Sequence, residues 1–290
     1  MSAETTAVIV VNWNGWKDTV DAVRSAHAMR PAPGNVVVVD NASTDDSEDR
    51  LRELCPDAVI LQSGKNLGFG GGNNIGIRWA LAHGASGVWL LNSDAIADEG
   101  ALGAILDAAK ARPRAGVVGT RIYYADRRDV LQCWGGGWAD VWTGRSSEFS
   151  TPVEVSELHY ITGCSMYLPR TALEKSGMFD EGFFMYFEDA DLGFRYRAEG
   201  FELAVADTAK VWHKGGATAR GSSLQSAWRT QSLLRFLRLH SPIYAVSALS
   251  STLYRTLAFA RRGQWAELRR LAHDLPAWAL APDWRRDPRR

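Results

Sequence analysis

Apolar runs of strand length recur along the first 120 residues, each followed by a stretch with helical spacing. Residues 7–11 (AVIVV), 35–40 (NVVVVD), 58–62 (AVILQ), 87–91 (GVWLL) and 115–120 (AGVVGT) read as strands. Their apolar character is continuous rather than alternating, as expected of strands buried on both faces. Residues 16–30, 43–54, 73–83 and 98–112 read as helices, the second capped by Ser43, Thr44 or Asp45, and the third with Ile75 and Trp79 one turn apart. This alternation with short links predicts a mostly parallel sheet flanked by helices. Right-handed crossovers then bring the carboxyl ends of the strands to one edge. Asn12, Asp40, the 64–74 loop and Asp94 should gather on that rim.

After Arg121 the pattern changes. Residues 121–157 are rich in Gly, Trp and polar residues and read as loops and short strands, a candidate flap. Residues 158–168 read as a strand, 187–199 as a helix, and 201–213 as one or two short strands ending at His213. From about 222 the chain reads as helical and Arg-rich. The expected organisation is an α/β domain over 1–218, in halves 1–120 and 121–218, followed by a basic helical extension over 219–290.

Composition adds two constraints. Cys55, Cys133 and Cys164 are far apart and form no CxxC, so neither a disulfide framework nor a zinc site is expected, and the compartment should be reducing. The N-terminal MSAETTAVIVV lacks a basic n-region and does not read as a signal peptide. The net charge of zero hides an asymmetry. From Ala219 onward there are thirteen arginines, no lysine and four acids, hence +9, and residues 1–218 carry −9. Such a tail fits an anionic partner such as a membrane surface, or equally a solvated helical face. Residues 241–260 are long enough to span a bilayer but contain Arg255 and several serines, so an interfacial or packed helix is expected. The expected location is the cytoplasm, with the tail at the inner face of the plasma membrane, and no nucleic-acid partner.

Four clusters carry candidate chemistry. The strand at 87–91 ends in Asn92-Ser93-Asp94, where a carboxylate can hold a divalent cation and, through it, a diphosphate. The same triplet could instead cap a helix. Asp40 ends a buried strand and can accept hydrogen bonds from a ribose or a pyrimidine, or cap the next helix. The loop from Gly64 to Asn74 holds three successive glycines, which permit close backbone approach to a ligand, and it leads into a helix N-terminus. It is neither a P-loop nor GxGxxG, since Asn73 stands at the last glycine position. Glu188, Asp189 and Asp191 fall in the first turn of a helix, where acids complement the dipole or, beside the preceding aromatics, serve as a general base. His213 in VWHKGG reads as a structural histidine or a metal ligand.

In order, VNWNG, VVVVDNASTDDS, NLGFGGGNNIG, LLNSD, FFMYFEDADLGFRYRAEG and VWHKGG resemble glycosyltransferase family 2, in particular its rhamnosyltransferase-like branch, over roughly residues 7–216. The resemblance implies a GT-A fold and inverting, Mg2+- or Mn2+-dependent transfer from a nucleotide sugar. It implies that Val11, Asn12, Asp40, Asn66, Gly68, Asn73, Asn92, Ser93 and Asp94 surround the donor. Asp94 and His213 would hold the metal, with Asn92 departing from the family's DxD. Asp189 would be the base, with Glu188 the second candidate. Trp134, Gly163 and Trp212 are acceptor candidates, and Trp138 and Trp142 could also stack on a sugar. From branch resemblance alone the donor is dTDP-rhamnose or a related dTDP- or UDP-deoxysugar. The acceptor is a hydroxyl of a glycan, lipid-linked sugar or natural product, as in cell-wall polysaccharide synthesis. Two other readings are a sugar-nucleotide nucleotidyltransferase, for which VNWNGWKD supplies only Lys17, and a catalytically silent nucleotide-sugar-binding protein.

Overall fold

The computed structural model describes residues 2–215 and 223–280. The first half alternates as β1 (Thr6–Asn12), α1 (Trp16–Ala28), β2 (Asn35–Asp40), α2 (Ser47–Leu54), β3 (Val59–Gln62), α3 (Gly68–Ala82) and β4 (Gly87–Leu91). It continues through β5 (Ala95–Ala97), α4 (Ala101–Ala111) and β6 (Ala115–Tyr124). Then follow β7 (Leu131–Trp134), β8 (Gly136–Ala139), β9 (Ser146–Glu148), β10 (Tyr160–Ile161), β11 (Ser165–Pro169) and α5 (Arg170–Ser176). The described chain closes with α6 (Glu188–Ala198), β12 (Glu202–His213), α7 (Ser223–His240), α8 (Tyr244–Arg261) and α9 (Trp265–Leu280).

The central sheet has the order β3-β2-β1-β4-β11-β6-β12-β5, with β7 on β6. β1 to β4 pair in parallel, while β11 lies antiparallel between β4 and β6. The second half therefore inserts a strand into the sheet of the first, and β6 runs straight across residue 120. The softer boundary near 218 lies outside the described residues. The period-two geometry of β1 and β2 explains their continuous apolar runs. Ala7, Ile9, Val37 and Val39 meet Ile77 and Ala80 on one face, while Val8, Val10, Val36 and Val38 meet Val20, Val23 and Ile105 on the other.

Several expectations change in detail. β12 is one long strand with a register shift after Ala206, not two short ones. The single strand expected at 158–168 is split into β10 and β11 by Thr162-Gly163-Cys164. α2 starts after Asp46, and neither Ser43 nor Thr44 caps it; Ser43 turns back onto Asp40. α3 begins at Gly68, so the three successive glycines are helical and meet protein rather than forming a ligand loop. A Cβ on Gly76 would come within 2.5 Å of Ile9, and the bare backbone lets α3 lie close to β1.

The C-terminal helices pack on the α/β body. Phe236 of α7 meets Phe187 and Phe194, and Arg235 donates two hydrogen bonds to Asp180, at 2.9 and 2.6 Å. Among the described residues no helix is long and apolar enough to cross a membrane.

Candidate active site

A cavity of about 700 Å3 opens at the carboxyl edge of the parallel strands, a size suited to a small-molecule site. Asn92-Ser93-Asp94 leaves β4 directly at its wall. The triplet does not cap a helix, because β5 follows it and pairs antiparallel with the end of β12. That pairing sets Ala95 opposite His213, and the Lys214 N–H donates to the Asp94 carbonyl at 3.0 Å. The result is an Asp94 Oδ1 to His213 Nε2 distance of 3.1 Å, with the Asn92 amide 3.5 Å from the same nitrogen.

His213 is oriented from behind. Its Nδ1 lies 3.1 Å from Gln132 Oε1 of β7, an acceptor, so Nδ1 carries a proton and Nε2 faces Asp94. Burial works against a charge on this imidazole, while the neighbouring Cys164 sulfur and the Asp94 carboxylate work for it. The balance raises its pKa. A lone pair and a carboxylate oxygen at 3.1 Å need a cation between them, either a proton or a metal. The distance also matches the edge of about 3.0 Å between adjacent ligands of an octahedral ion with bonds of roughly 2.1 Å. Among the described residues no group of three or more His, Cys, Asp or Glu converges on a metal position. A pair of protein ligands completed by phosphate oxygens and water is the usual provision for a hard divalent ion, so the donor set fits one.

Facing this pair in the same cavity is the N-terminus of α6 with Glu188 and Asp189. Tyr186 and Phe187 both have left-handed backbones, φ 72 and 65, a strained turn that presents the helix end to the cavity. Three hydrogen bonds hold it: Phe69 N–H to Phe184 O (2.9 Å), Ser232 Oγ to Met185 O (2.8 Å) and Gln225 Nε2 to the Tyr186 hydroxyl (2.5 Å). Asp189 accepts the Gly163 N–H on Oδ2 at 3.1 Å and the Ala190 N–H on Oδ1 at 2.8 Å. The next residue, Cys164, accepts the Asn92 N–H at 2.9 Å. Gly163-Cys164 therefore ties Asp189 to the Asn92-Ser93-Asp94 turn.

The three acids of α6 have different environments. Asp191 is buried and saturated by Arg195 and His240, at 2.8 Å each, and is structural. Glu188 is buried, its Oε2 has no hydrogen-bond partner, and burial followed by the Asp189 charge raises its pKa well above the carboxylate range. Burial also raises Asp189, opposed by the Gly163 N–H and aided by the Glu148 charge, to about 6. Burial and the Asp189 charge therefore push Glu188 toward its neutral form, while Asp189, at about 6, is ionised at neutral pH.

The remaining expected residues divide. Val11, Asn66, Gly68, Asn73, Ser93 and Gly163 line the cavity. Asn73 does so with its amide donating back to Phe69 O at 3.0 Å. Asn12 and Asp40 are buried behind it, not on its wall: Asn12 Nδ2 donates to Asp40 Oδ1 at 2.8 Å, and Ser43 Oγ to the same oxygen at 2.5 Å. Trp134 is withdrawn from the acceptor candidates, because it is 4% exposed and its Nε1–H donates to Asp207. Trp212 lies off the cavity wall, with Arg128 over its ring at 4.9 Å and its indole N–H directed to Arg128 O. Trp142 is exposed away from the cavity, and Trp138 lines a neighbouring one. Asn41, Gln132, Glu148, Gln225 and Arg229 were not anticipated as wall residues. Asn41 had a signal, its place directly after a strand-terminal Asp; it clamps the glycine segment through Leu67 N–H (3.0 Å) and Gly68 O (3.0 Å).

The chain is 29% identical, over 71% of its length and 75% of the relative's, to N-acetylglucosaminyl-diphospho-decaprenol L-rhamnosyltransferase of Mycobacterium tuberculosis. Its fold is similar to that of GalNAc-T7, solved with UDP, GalNAc and Mn2+ (TM-score 0.66, 16% identity, 83% of this chain and 49% of that one). It is also similar to mannosyltransferase PcManGT from Pyrobaculum calidifontis, solved with GDP-Man and Mn2+ (TM-score 0.58, 16% identity, 98% of this chain and 88% of that one). These likenesses show a GT-A fold. The family model for glycosyl transferase family 2 matches residues 7–177, more than half of the chain, and the protein belongs to that family: it is a glycosyltransferase that uses a nucleotide-sugar donor.

Proposed function

We propose that this enzyme transfers L-rhamnose, or a related deoxysugar, from a dTDP- or UDP-sugar to an acceptor hydroxyl with inversion at the anomeric carbon. The observation that carries the chemistry is Asp189: an ionised carboxylate with a pKa near 6, fixed by two backbone N–H groups, in the cavity that also holds Asp94 and His213. A base is most effective when its pKa lies near the working pH. Asp189 takes the acceptor proton while the acceptor oxygen bonds to the anomeric carbon. The bond from that carbon to the diphosphate oxygen breaks on the opposite side. Burial and the Asp189 charge push the neighbouring Glu188 toward its neutral form, which favours a single charge on the pair. No covalent sugar–enzyme intermediate is needed.

Asp94 and His213 would hold Mg2+ or Mn2+, which when bound neutralises charge on the leaving diphosphate. Val11, Asn66, Gly68, Asn73, Asn92 and Ser93 would surround the donor. Asn12 and Asp40 would act from beneath, by fixing the end of β1 against β2. The choice of rhamnose is supported by the 29% identity to the mycobacterial rhamnosyltransferase. Peripheral membrane contact is supported by α8, whose Val246, Leu249, Leu253 and Leu257 are exposed at helical spacing in an Arg-rich region.

Thermal melting with a panel of nucleotide sugars tests the donor and metal together. A dTDP- or UDP-deoxysugar is expected to raise the melting temperature with Mn2+ and not without it, and Asp94→Ala should abolish the shift. A metal-independent shift that survives Asp94→Ala would contradict the metal assignment.

A further inference from the structure

A three-stranded sheet, in the order β10-β8-β9, supplies Tyr160 and Glu148 to the wall of the first cavity. Its close spacing comes from the run Gly135-Gly136-Gly137. A Cβ on Gly136 would lie 1.9 Å from the Tyr160 carbonyl oxygen, and one on Gly137 would lie 2.1 Å from that of Ser147, so only bare backbone fits between the outer strands. The register sets Gly137 opposite Glu148. The next residue is pinned on both sides: the Phe149 N–H donates to Gly136 O at 3.0 Å, and Phe149 O accepts the Trp134 N–H at 2.6 Å. Phe149 packs against the core, and Glu148, its neighbour in the chain, faces the cavity.

Glu148 is an acid that neither the metal pair nor the base accounts for. Among the described residues its carboxylate has no hydrogen-bond or ion-pair partner. Its charge raises the pKa values of Asp189, Tyr160 and Cys133, so its field crosses the space next to the base. Arg229 of α7 and Glu188 of α6 line the same cavity. A carboxylate with open acceptor positions binds hydroxyl donors through charge-assisted hydrogen bonds.

α7 adds an aromatic surface. Trp228 stands against Phe184, with ring centroids 4.8 Å apart and planes at 47°, and both line the cavity. Trp134 and Trp212, the aromatic candidates expected from the sequence, turn to Asp207 and Arg128 instead. An indole face and an open carboxylate in one cavity suit a saturated ring with an apolar C–H face and hydroxyls at its edge.

We propose that Glu148 is a specificity-determining residue for the acceptor: its carboxylate accepts a hydrogen bond from a hydroxyl adjacent to the one that Asp189 deprotonates, while the ring that carries both rests against Trp228. The acceptor class is therefore a ring with two neighbouring hydroxyls, not one with an isolated hydroxyl. Glu148 keeps its proton state through the reaction and holds the ring; Asp189 alone takes the proton. This inference rests on the transfer chemistry proposed above for the role of the ligand, and not for its binding.

The test is ligand-observed saturation-transfer NMR on the full chain, with the donor side filled by saturating dTDP or UDP and Mg2+. The probes are the methyl pyranosides of glucose, galactose and mannose, each with the analogues that lack one ring hydroxyl. At least one pyranoside should bind, and loss of one of two neighbouring hydroxyls should weaken it by about tenfold or more. Glu148→Gln, at an exposed position, should weaken the parent pyranoside by a similar factor, leave the deoxy analogue unchanged and keep the melting temperature. Trp228→Ala should weaken parent and analogue alike. In turnover, Glu148→Gln should move the acid limb of kcat/KM to lower pH, because one of the charges that raise Asp189 is gone, a change that a merely structural role would not produce. No binding by any pyranoside, deoxy analogues binding as tightly as their parents, or a parent binding equally well to Glu148→Gln would overturn the proposal. Binding is read without turnover. A chain that binds pyranosides through Glu148 and transfers no sugar contradicts the transfer chemistry, not this subsite.

Discussion

Asp189 and Asp94 occupy similar positions in the sequence, each a carboxylate beside an apolar stretch, yet their surroundings give them different tasks. Burial and the Glu148 charge lift Asp189 to about 6, above its ordinary value near 3.8. The ionised form is therefore the one that folding disfavours. That penalty is absent below about pH 4, grows as the pH rises through 6, and is complete above it. Asp189→Asn removes that pH-dependent penalty, so the difference in stability between variant and wild type should move in the variant's favour from pH 4 to pH 7.5; urea unfolding at the two pH values measures it. In the wild type, kcat/KM should fall on the acid side with a midpoint near pH 6 as Asp189 becomes protonated. A profile flat down to pH 5 would remove Asp189 as the base. Gln132 acts one step further out. Gln132→Leu leaves His213 Nδ1 without its acceptor, and Mn2+ affinity in the presence of nucleotide should drop by about tenfold or more, read by titration. That Asp94, Asp189 and His213 stand at the ends of apolar runs was legible in the sequence, and the structure brings all three to one cavity. Gln132, Glu148 and Arg229 were not legible, because strand pairing and helix packing, rather than any local pattern, bring them to the wall.

At the level of elements, the glycine-rich segment and the 183–187 turn depend on one another. Gly68 has φ +72, and a Cβ there would lie 2.0 Å from the Phe184 carbonyl oxygen. Gly68→Ala should therefore cost about 1–3 kcal/mol and also shift the α6 N-terminus, lowering transfer more than nucleotide binding. Denaturant midpoints and separate binding and turnover assays distinguish the two effects. The parallel core was legible because β1 and β2 bury both faces and leave continuous apolar runs. β11 was not legible as an inserted antiparallel strand, since its pairing with β4 and β6 depends on partners far away in the chain. Trp134 and Trp212 were misread for a related reason. An aromatic residue in an irregular stretch looks the same in sequence whether it faces a ligand or a neighbouring strand, and the pairing of β7 and β12 with β6 decides it.

Across the whole molecule, the charge asymmetry seen in the sequence takes a physical form. The basic extension packs on the body through α7, contributes Gln225, Trp228 and Arg229 to the first cavity, and leaves the apolar stripe of α8 exposed. Leu249→Ser/Leu253→Ser should reduce co-sedimentation with vesicles containing anionic lipid while sparing nucleotide binding, because the stripe lies off the first cavity. Equal co-sedimentation would assign the stripe to another contact. The proposed transfer chemistry rests on one carboxylate, Asp189 at the α6 N-terminus, as the base of a single displacement. The most direct test is the reaction of Asp189→Asn with a deoxysugar nucleotide, Mn2+ and a hydroxyl acceptor that the wild type turns over, alongside the wild type, with the anomeric configuration of the product read by NMR. The wild type should give an inverted product, and the variant should bind the donor with normal affinity and form no product. Turnover by the variant at the wild-type rate, or retained configuration in the wild-type product, would contradict it.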